Sequence, residues 1–273
     1  MKKDKIIVGI SGGVDSSVAA MLLKEKEYEV EALFMKNWSR QIENGKCLWE
    51  DDVEDAMQVC DKLDIPLNVV DLSDDYWEKV FKNFLTEYKS GRTPNPDVLC
   101  NKEIKFKAFL EYAENLGAKK IATGHYSRKN KNENYFQLLK SIDNNKDQSY
   151  FLCCLNQSQL DKALFPIGDL CKDKVRKLAK KAGLITHDKK DSTGICFVGE
   201  QPFRNFLSSF IKPVKGLIKT TNGKPIGEHE GIFFYTLGQR QGLGIGGVKN
   251  TTNSPWYVVK KNIEKNELIV AQD

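Results

Sequence analysis

The chain predicts a doubly wound, mostly parallel α/β sheet followed by a small β domain, and three observations predict that class. Strand-like and helix-like segments alternate through its first half. A glycine-rich turn, SGGVDSS at Ser11 to Ser17, joins the first strand to the first helix. After Pro213 short strands between Gly, Asn and Pro turns replace the alternation.

The elements follow in order. KIIVGI is an apolar strand that runs into SGGVDSS and then into the amphipathic VAAMLLKEKE. VEALFM is the second strand. The polar stretch Asn37 to Glu50, NWSRQIENGKCLWE, has no clear period and reads as an excursion from the sheet, with Cys47 incidental. DDVEDAMQVCDKL is helical, PLNVVDL a strand and DYWEKVFKNFLTEYKSG helical; NKEIKFKAFLEYAENLG and KKIATGH give one more helix and strand. In such sheets ligands bind outside the carboxyl ends of the strands, where SGGVDSS, Met35 and Gly124-His125 all fall.

Gly12 and Gly13 allow a sharp turn and a close ligand approach, and Ser11, Ser16 and Ser17 add hydroxyls beside the unpaired N–H groups of a helix start. That combination fits pyrophosphate better than a plain βα turn. It is not the GxxxxGK[ST] phosphate loop, which occurs nowhere in the chain.

From about Gln157 the segments SQLDKALF and KDKVRKLAKKAGL read as helices, HDKKDSTGICFVGE as a loop and FRNFLSSFI as a helix. VKGLIKT, KPIGEHEG and PWYVVKKNIEKNELIVAQ read as strands, with NIEKNE turning the last hairpin. Residues 1–204 are therefore expected to form the larger domain and 205–273 the small β domain. Gly242 to Gly247 matches GxGxxG formally, but it leads into VKNTTNSPW, which has no helical period; a glycine loop near Gln239 and Arg240 is the better reading.

Composition narrows the class. The 273 residues are 40% hydrophobic and 29% charged, with no apolar run of membrane length, so a soluble cytoplasmic protein is expected, without membrane contact. Forty-two basic against 37 acidic residues leave +5, a mild preference for an anionic partner. Seven cysteines without a CxxC pair and three dispersed histidines disfavour a disulfide framework and a structural metal.

Two thiols stand apart. In GRTPNPDVLCNKEIKFKAFL two prolines stiffen a loop that ends at a helix start, with Asp97 and Cys100 at the junction, where a helix N-terminus would stabilise a thiolate. A small buried core cysteine is the alternative. Cys196, in DSTGICFVGE, lies between Gly194 and Gly199 with Lys189 and Lys190 nearby, and either a reactive or a buried role suits it. Cys60, Cys153, Cys154 and Cys171 sit in helix-like surroundings, and core packing is their default.

VGISGGVDSS, LFMKNW, GRTPNPDVLCNKEIKF, ATGHY, NKDQSYFL, DSTGICF and TLGQRQGLGIGG followed by PWYVV together resemble the tRNA-specific 2-thiouridylases, enzymes of the ATP-pyrophosphatase type, across nearly the whole chain. The resemblance implies ATP contacts from Gly9, Ile10, Ser11, Gly12, Gly13, Val14, Asp15, Ser16, Met35 and Gly124, with Mg2+ accompanying ATP through unassigned ligands. It implies target-base contacts from Asn95, Pro96 and Asp97, and tRNA contacts from Lys146, Asp147 and Gln148 with His125 nearby.

It also implies that the wobble uridine is adenylated at the C2 oxygen, that sulfur comes from a persulfide on Cys196, and that Cys100 then forms a disulfide with Cys196, with Asp97 moving the proton. The implied partners are the lysine, glutamate and glutamine tRNAs and a persulfide relay protein or cysteine desulfurase. Members of the family continue into a further β-barrel, whereas this chain stops at Asp273, so weak and salt-sensitive tRNA binding is expected. Two alternatives stay open: another adenylating enzyme with the same loop, which needs neither thiol, and a non-catalytic tRNA-binding module.

Overall fold

The computed structural model describes residues 4–39, 49–191, 203–245 and 254–272. These divide into two units, one made of residues 1–81 and 96–200, the other of 82–95 and 201–273.

The first unit starts with β1 (Lys5–Ile10), α1 (Val14–Glu25), β2 (Glu29–Lys36), α2 (Trp49–Leu63) and β3 (Leu67–Asp71). A short α3 (Ser73–Tyr76) runs through a π-helical turn, Trp77–Phe81, into α4 (Lys82–Lys89), which belongs to the second unit. Back in the first unit come α5 (Pro96–Cys100), a π-helical stretch Asn101–Ala108, α6 (Phe109–Asn115) and β4 (Lys120–Ala122). The remaining elements are β5 (Ser127–Lys131), β6 (Phe136–Lys140), α7 (Gln157–Lys162), β7 (Ala163–Leu164) and α8 (Lys172–Lys181).

The main sheet has the order β3-β2-β1-β4-β7, and every pairing in it is parallel. Parallel strands are covered on both faces, which is why KIIVGI is a continuous apolar run. Ile6, Val8 and Ile10 pack with Val18, Leu23 and Phe34 in one core on the α1 side. On the other face Met35 and Phe109 lie beside Gly9. α1 starts where Gly13 is still extended, carries Asp15 in its positive first turn, and stops before Glu27, whose φ of 60° ends the spiral.

Two segments depart from the sequence reading. SQLDKALF is not one helix: a capping box between Asn156 and Gln159 opens α7, Lys162 ends it, and Ala163–Leu164 join the sheet beside β4. SRKNKNENYFQLLK, which has no apolar alternation to mark it, is an antiparallel hairpin, β5–β6.

The second unit adds α9 (Phe203–Ser208), β8 (Gly216–Thr220), β9 (Pro225–His229), β10 (Trp256–Asn262) and β11 (Glu267–Gln272). Its sheet runs β10-β11-β8-β9, with only the β11–β8 pair parallel. Ile218, Tyr235, Leu243, Val258, Leu268 and Val270 form its core. α4 packs here: the rings of Phe84 and Tyr88 meet Phe203, and Lys261 Nζ donates to the Gly91 carbonyl at 2.9 Å.

Candidate active site

β1 delivers the chain at Ile10 to the turn Ser11-Gly12-Gly13. Gly12 has φ +69°, and a Cβ there would stand 2.3 Å from the Asp52 carbonyl oxygen, so only glycine fits. Gly13, the residue before α1, has no side chain capping the first N–H groups of the helix. Ser16 and Ser17 hydroxyls donate to the Gly13 carbonyl at 3.1 and 2.8 Å, and Ser11 N–H donates to Ser16 Oγ at 3.2 Å. The hydroxyls thus brace the turn and leave the helix start uncapped, the arrangement that takes an anion.

The other strand ends converge here. A Cβ on Gly124 would lie 2.6 Å from Ser16 N, so the backbone after β4 lies directly against the first turn of α1. Met35 Cε stands 3.7 Å from the Cβ position of Gly9. Two residues further, Asn37 is 1% exposed and both polar atoms of its amide lack a partner. Leaving such a group unsatisfied costs about 1–3 kcal/mol, which marks this edge as one built to hold more than protein.

An acid in a phosphate loop would repel its ligand unless neutralised. Lys172 does this: its Nζ lies 2.8 Å from both oxygens of Asp15 and 2.7 Å from Asp191, and its side chain is only 10% exposed. Tyr126 donates its hydroxyl to Asp15 at 2.8 Å. Asp191 also meets Lys146 at 2.6 Å and Arg176 at 2.8 Å. Burial acts to raise the Asp191 carboxyl, but hydrogen bonds from Lys146 and Lys172 and the Lys172 charge overcome it and hold the group down at about 2. Sequence reasoning missed Lys172, Tyr126 and Asp191. Asp191 opens the DSTGICF motif and was visible there; Lys172 had no local signal, because its partner lies 157 positions away.

The helix of the thiol motif begins earlier than expected, at Pro96, which is pre-shaped for the first helical position. Cys100 is its fifth residue and is 0% exposed, so the argument that a helix N-terminus activates this thiol does not apply. Asp97, in the first turn, is three residues before Cys100, a spacing that places both on one face.

Comparison with known proteins settles the family. Residues 4–200 match the tRNA methyl transferase HUP domain model and 204–272 the tRNA methyl transferase PRC-barrel domain model. A tRNA-specific 2-thiouridylase MnmA from Hydrogenovibrio crunogenus is 58% identical over 98% of this chain and 71% of its own length. That from Legionella pneumophila (strain Paris) is 58% identical over 99% of this chain and 75% of its own. The chain belongs to the tRNA-specific 2-thiouridylase family. A solved 4-thiouridine synthetase in complex with RNA and ATP is also similar, at 16% identity and a TM-score of 0.47, covering 76% of this chain and 50% of that one.

Several side chains singled out by the thiouridylase resemblance have structural work to do here. Asp147 accepts from Ser141 N–H and from Ser149 Oγ, each at 2.8 Å, and Gln148 Oε1 accepts from Tyr126 N–H at 2.9 Å. Lys146 is on Asp191. His125 is 8% exposed beside the Phe106 and Phe165 rings, with Nδ1 2.8 Å from Thr123 Oγ1. Burial, and then the Lys105 charge, hold it well below the usual imidazole range, so it is neutral. Asn95 is exposed and belongs to the second unit, while Pro96 and Asp97 belong to the first.

Of the four cysteines expected in the core, only Cys60 packs there, with burial, then the Asp61 charge, pushing its thiol up to about 11. Cys153, Cys154 and Cys171 are exposed. SYFLCCLNQ forms no apolar helix; a single 3₁₀ turn, Ser149–Leu152, buries Leu152 and then ends. Cys47 and Cys196 lie outside the described residues. Lys189, expected to charge the surroundings of Cys196, is engaged by Asp52 at 2.7 Å and by Asp55. Among the described residues no three His, Cys, Asp or Glu side chains cluster as a metal site, and no helix is long and apolar enough to cross a membrane.

Proposed function

We propose that this protein uses ATP to replace the C2 oxygen of a tRNA wobble uridine with sulfur. The observation that carries the reading is the neutralised, uncapped turn from Ser11 to Asp15. Gly12 brings backbone close, α1 offers free N–H groups, and Lys172 cancels the one acid. The residues present fit a nucleotide, and the unsatisfied Asn37 amide fits the same conclusion. The contacts are Gly9 to Ser16, Met35 and Gly124, and Mg2+ would accompany ATP and screen its phosphate charge.

The uracil C2 oxygen attacks the α-phosphorus of ATP and pyrophosphate leaves; the oxygen is now part of AMP, a good leaving group. The outer sulfur of a Cys196 persulfide, loaded by an external sulfur donor, adds at C2 and AMP departs. Cys100 thiolate then attacks Cys196 Sγ and the S–S bond breaks. The products are 2-thiouridine and a Cys100–Cys196 disulfide, which an external thiol reduces. Attack by Cys100 before C2 addition, releasing sulfide, leads to the same products. Asp97, on the same helical face, accepts the Cys100 proton, and Asn95, Pro96 and Asp97 meet a base that a single-stranded anticodon loop can turn out without breaking a pair. Lys146 to Gln148 and His125 organise the ground beside it. The lysine, glutamate and glutamine tRNAs are the substrates, a relay protein or desulfurase the donor, and the cytoplasm the compartment. By sequence the catalytic domain is residues 1–204 and the small β domain 205–273, with 82–95 and the chain from 201 lent to the second unit.

The family-model description raises a second reading, methyl transfer, which needs no ATP cleavage. Incubating the protein with tRNA, ATP and a labelled persulfide donor, and separately with a sulfonium methyl donor, tests the two. ATP-dependent 2-thiouridine with pyrophosphate release is expected. Methylated tRNA without ATP turnover would overturn the proposal. Cys100→Ser and Cys196→Ser should each abolish thiouridine while leaving ATP binding near normal, and Cys153→Ser should retain most activity; full activity in either of the first two removes the two-thiol mechanism.

A further inference from the structure

The β5–β6 hairpin lies outside the main sheet, yet it is firmly held. Lys129 Nζ donates to the carbonyls of Leu160, Asp161 and Ala163 at 2.6, 3.0 and 2.7 Å. Gln157 pairs with both backbone groups of Phe136, at 2.6 and 3.0 Å. Two strands alone are marginal in water, so this anchoring is what makes the hairpin a rigid platform.

Its register decides what the platform displays. Ser127 faces Lys140, Lys129 faces Leu138 and Lys131 faces Phe136, and partners directly across an antiparallel pair share a face. Three lysines therefore stand on one side. Lys129 is consumed as the anchor. Lys131 and Lys140 are exposed and have no carboxylate partner among the described residues. Strand rise puts them about 13 Å apart. Phe136 holds the Lys131 ammonium 5.5 Å from its ring centroid. Tyr135 and Tyr150 are 49% and 64% exposed nearby in the chain, and Glu133 is the one acid between Ser127 and Lys140 against four basic residues.

The hairpin is also continuous with the candidate site. Asp147 fixes the N–H of Ser141, the residue after Lys140, and Gln148 is bonded in both directions to Tyr126, the residue before β5. We propose that the two exposed lysines at the ends of this face, Lys131 and Lys140, grip the phosphate backbone of the tRNA substrate on either side of the anchored middle. The inference rests on the tRNA reading above and adds a surface to it. A cationic face that carries an aromatic ring, Phe136, suits an RNA strand, and ions on phosphates supply most of the salt-dependent affinity.

The test measures binding of a tRNA with a wobble uridine, at a series of salt concentrations, for the wild type and for Lys131→Glu/Lys140→Glu and Lys131→Arg/Lys140→Arg. The expected result for the Glu pair is an affinity about tenfold lower or worse at low salt, and a log–log salt slope shallower by about two. The Arg pair should behave as wild type, and all three should share one melting temperature and one ATP affinity. An unchanged slope and affinity in the Glu pair, with a wild type that still thiolates tRNA, overturns the hairpin role and leaves the function standing. Equal losses in the Glu and Arg pairs overturn it too, since charge would not be the cause. A wild type that binds no tRNA overturns both.

Discussion

The two sheets solve burial differently, and the difference explains where the candidate chemistry sits. Five of the six residues of β1 are buried, whereas β8 buries only Ile218 and β11 only Leu268 and Val270. The first is a strand wrapped on both faces; the second alternates between a core and solvent. Parallel order also sends the carboxyl ends of β1, β2 and β4 to one edge, so that turns far apart in sequence meet. In the second sheet most neighbours run oppositely, which disperses their ends. A site assembled from several turns is therefore natural in the first unit and not in the second.

Glycine substitutions should separate the units most sharply. Gly12→Ala adds a backbone clash to a left-handed φ, so we expect a loss of about 3 kcal/mol or more and pyrophosphate release below about 1% of wild type. Gly238 has a similar φ of +80° but nothing within 4 Å of a Cβ. Gly238→Ala should cost only the strain, about 1–2 kcal/mol. Denaturant midpoints and pyrophosphate release measure both; equal effects would break the contrast. Next in size, Ile7→Ala and Leu268→Ala each empty a fully buried site. A doubly covered strand has less room to collapse, so about 4 kcal/mol is expected for the first and about 2 for the second, read by hydrogen exchange in each unit.

Electrostatic effects should be smaller. Asp191→Asn leaves Lys146, Lys172 and Arg176 facing a neutral group, and with that side chain 31% exposed the cost should be about 1 kcal/mol. The folded carboxyl lies below its ordinary 3.8, so its stabilisation is complete above that value and disappears as pH falls towards about 2. The variant should lack that acid-dependent loss in its urea midpoints. His125 and His229 are both held below 6.5, chiefly by burial. The unfolded chain then takes up protons that the folded one refuses, so stability should fall as pH drops below about 6.5, by at most about 1.4 kcal/mol per unit for each histidine. Exchange rates at pH 8 and pH 5.5 should show the larger loss around His125, and a loss confined to the second unit would reverse that expectation.

Much of this architecture was legible because it is written locally. Continuous apolar runs marked β1 and β2, and glycine with serine marked the turn after β1. What escaped depends on distant partners. β5 carries Arg128, Lys129 and Lys131 and looks like a solvated loop until the carbonyls near residue 160 accept Lys129. β7, two residues long, has no period at all and exists only because β4 offers an edge. Two prolines suggest a loop running up to Cys100, whereas Pro96 is already helix, so the thiol sits a turn deeper than the sequence implies.

The pairing of Asp15 with Lys172 also imposes an order on synthesis. The glycine turn is among the first segments to leave a ribosome, but its acid is neutralised only after 157 further residues have followed. Until then the helix start and an unneutralised carboxylate oppose each other in their effect on an anion, and a triphosphate gains little from binding. A nascent chain that ends short of α8 should carry the whole SGGVDSS motif and still ignore ATP, acquiring affinity abruptly once Lys172 emerges and docks.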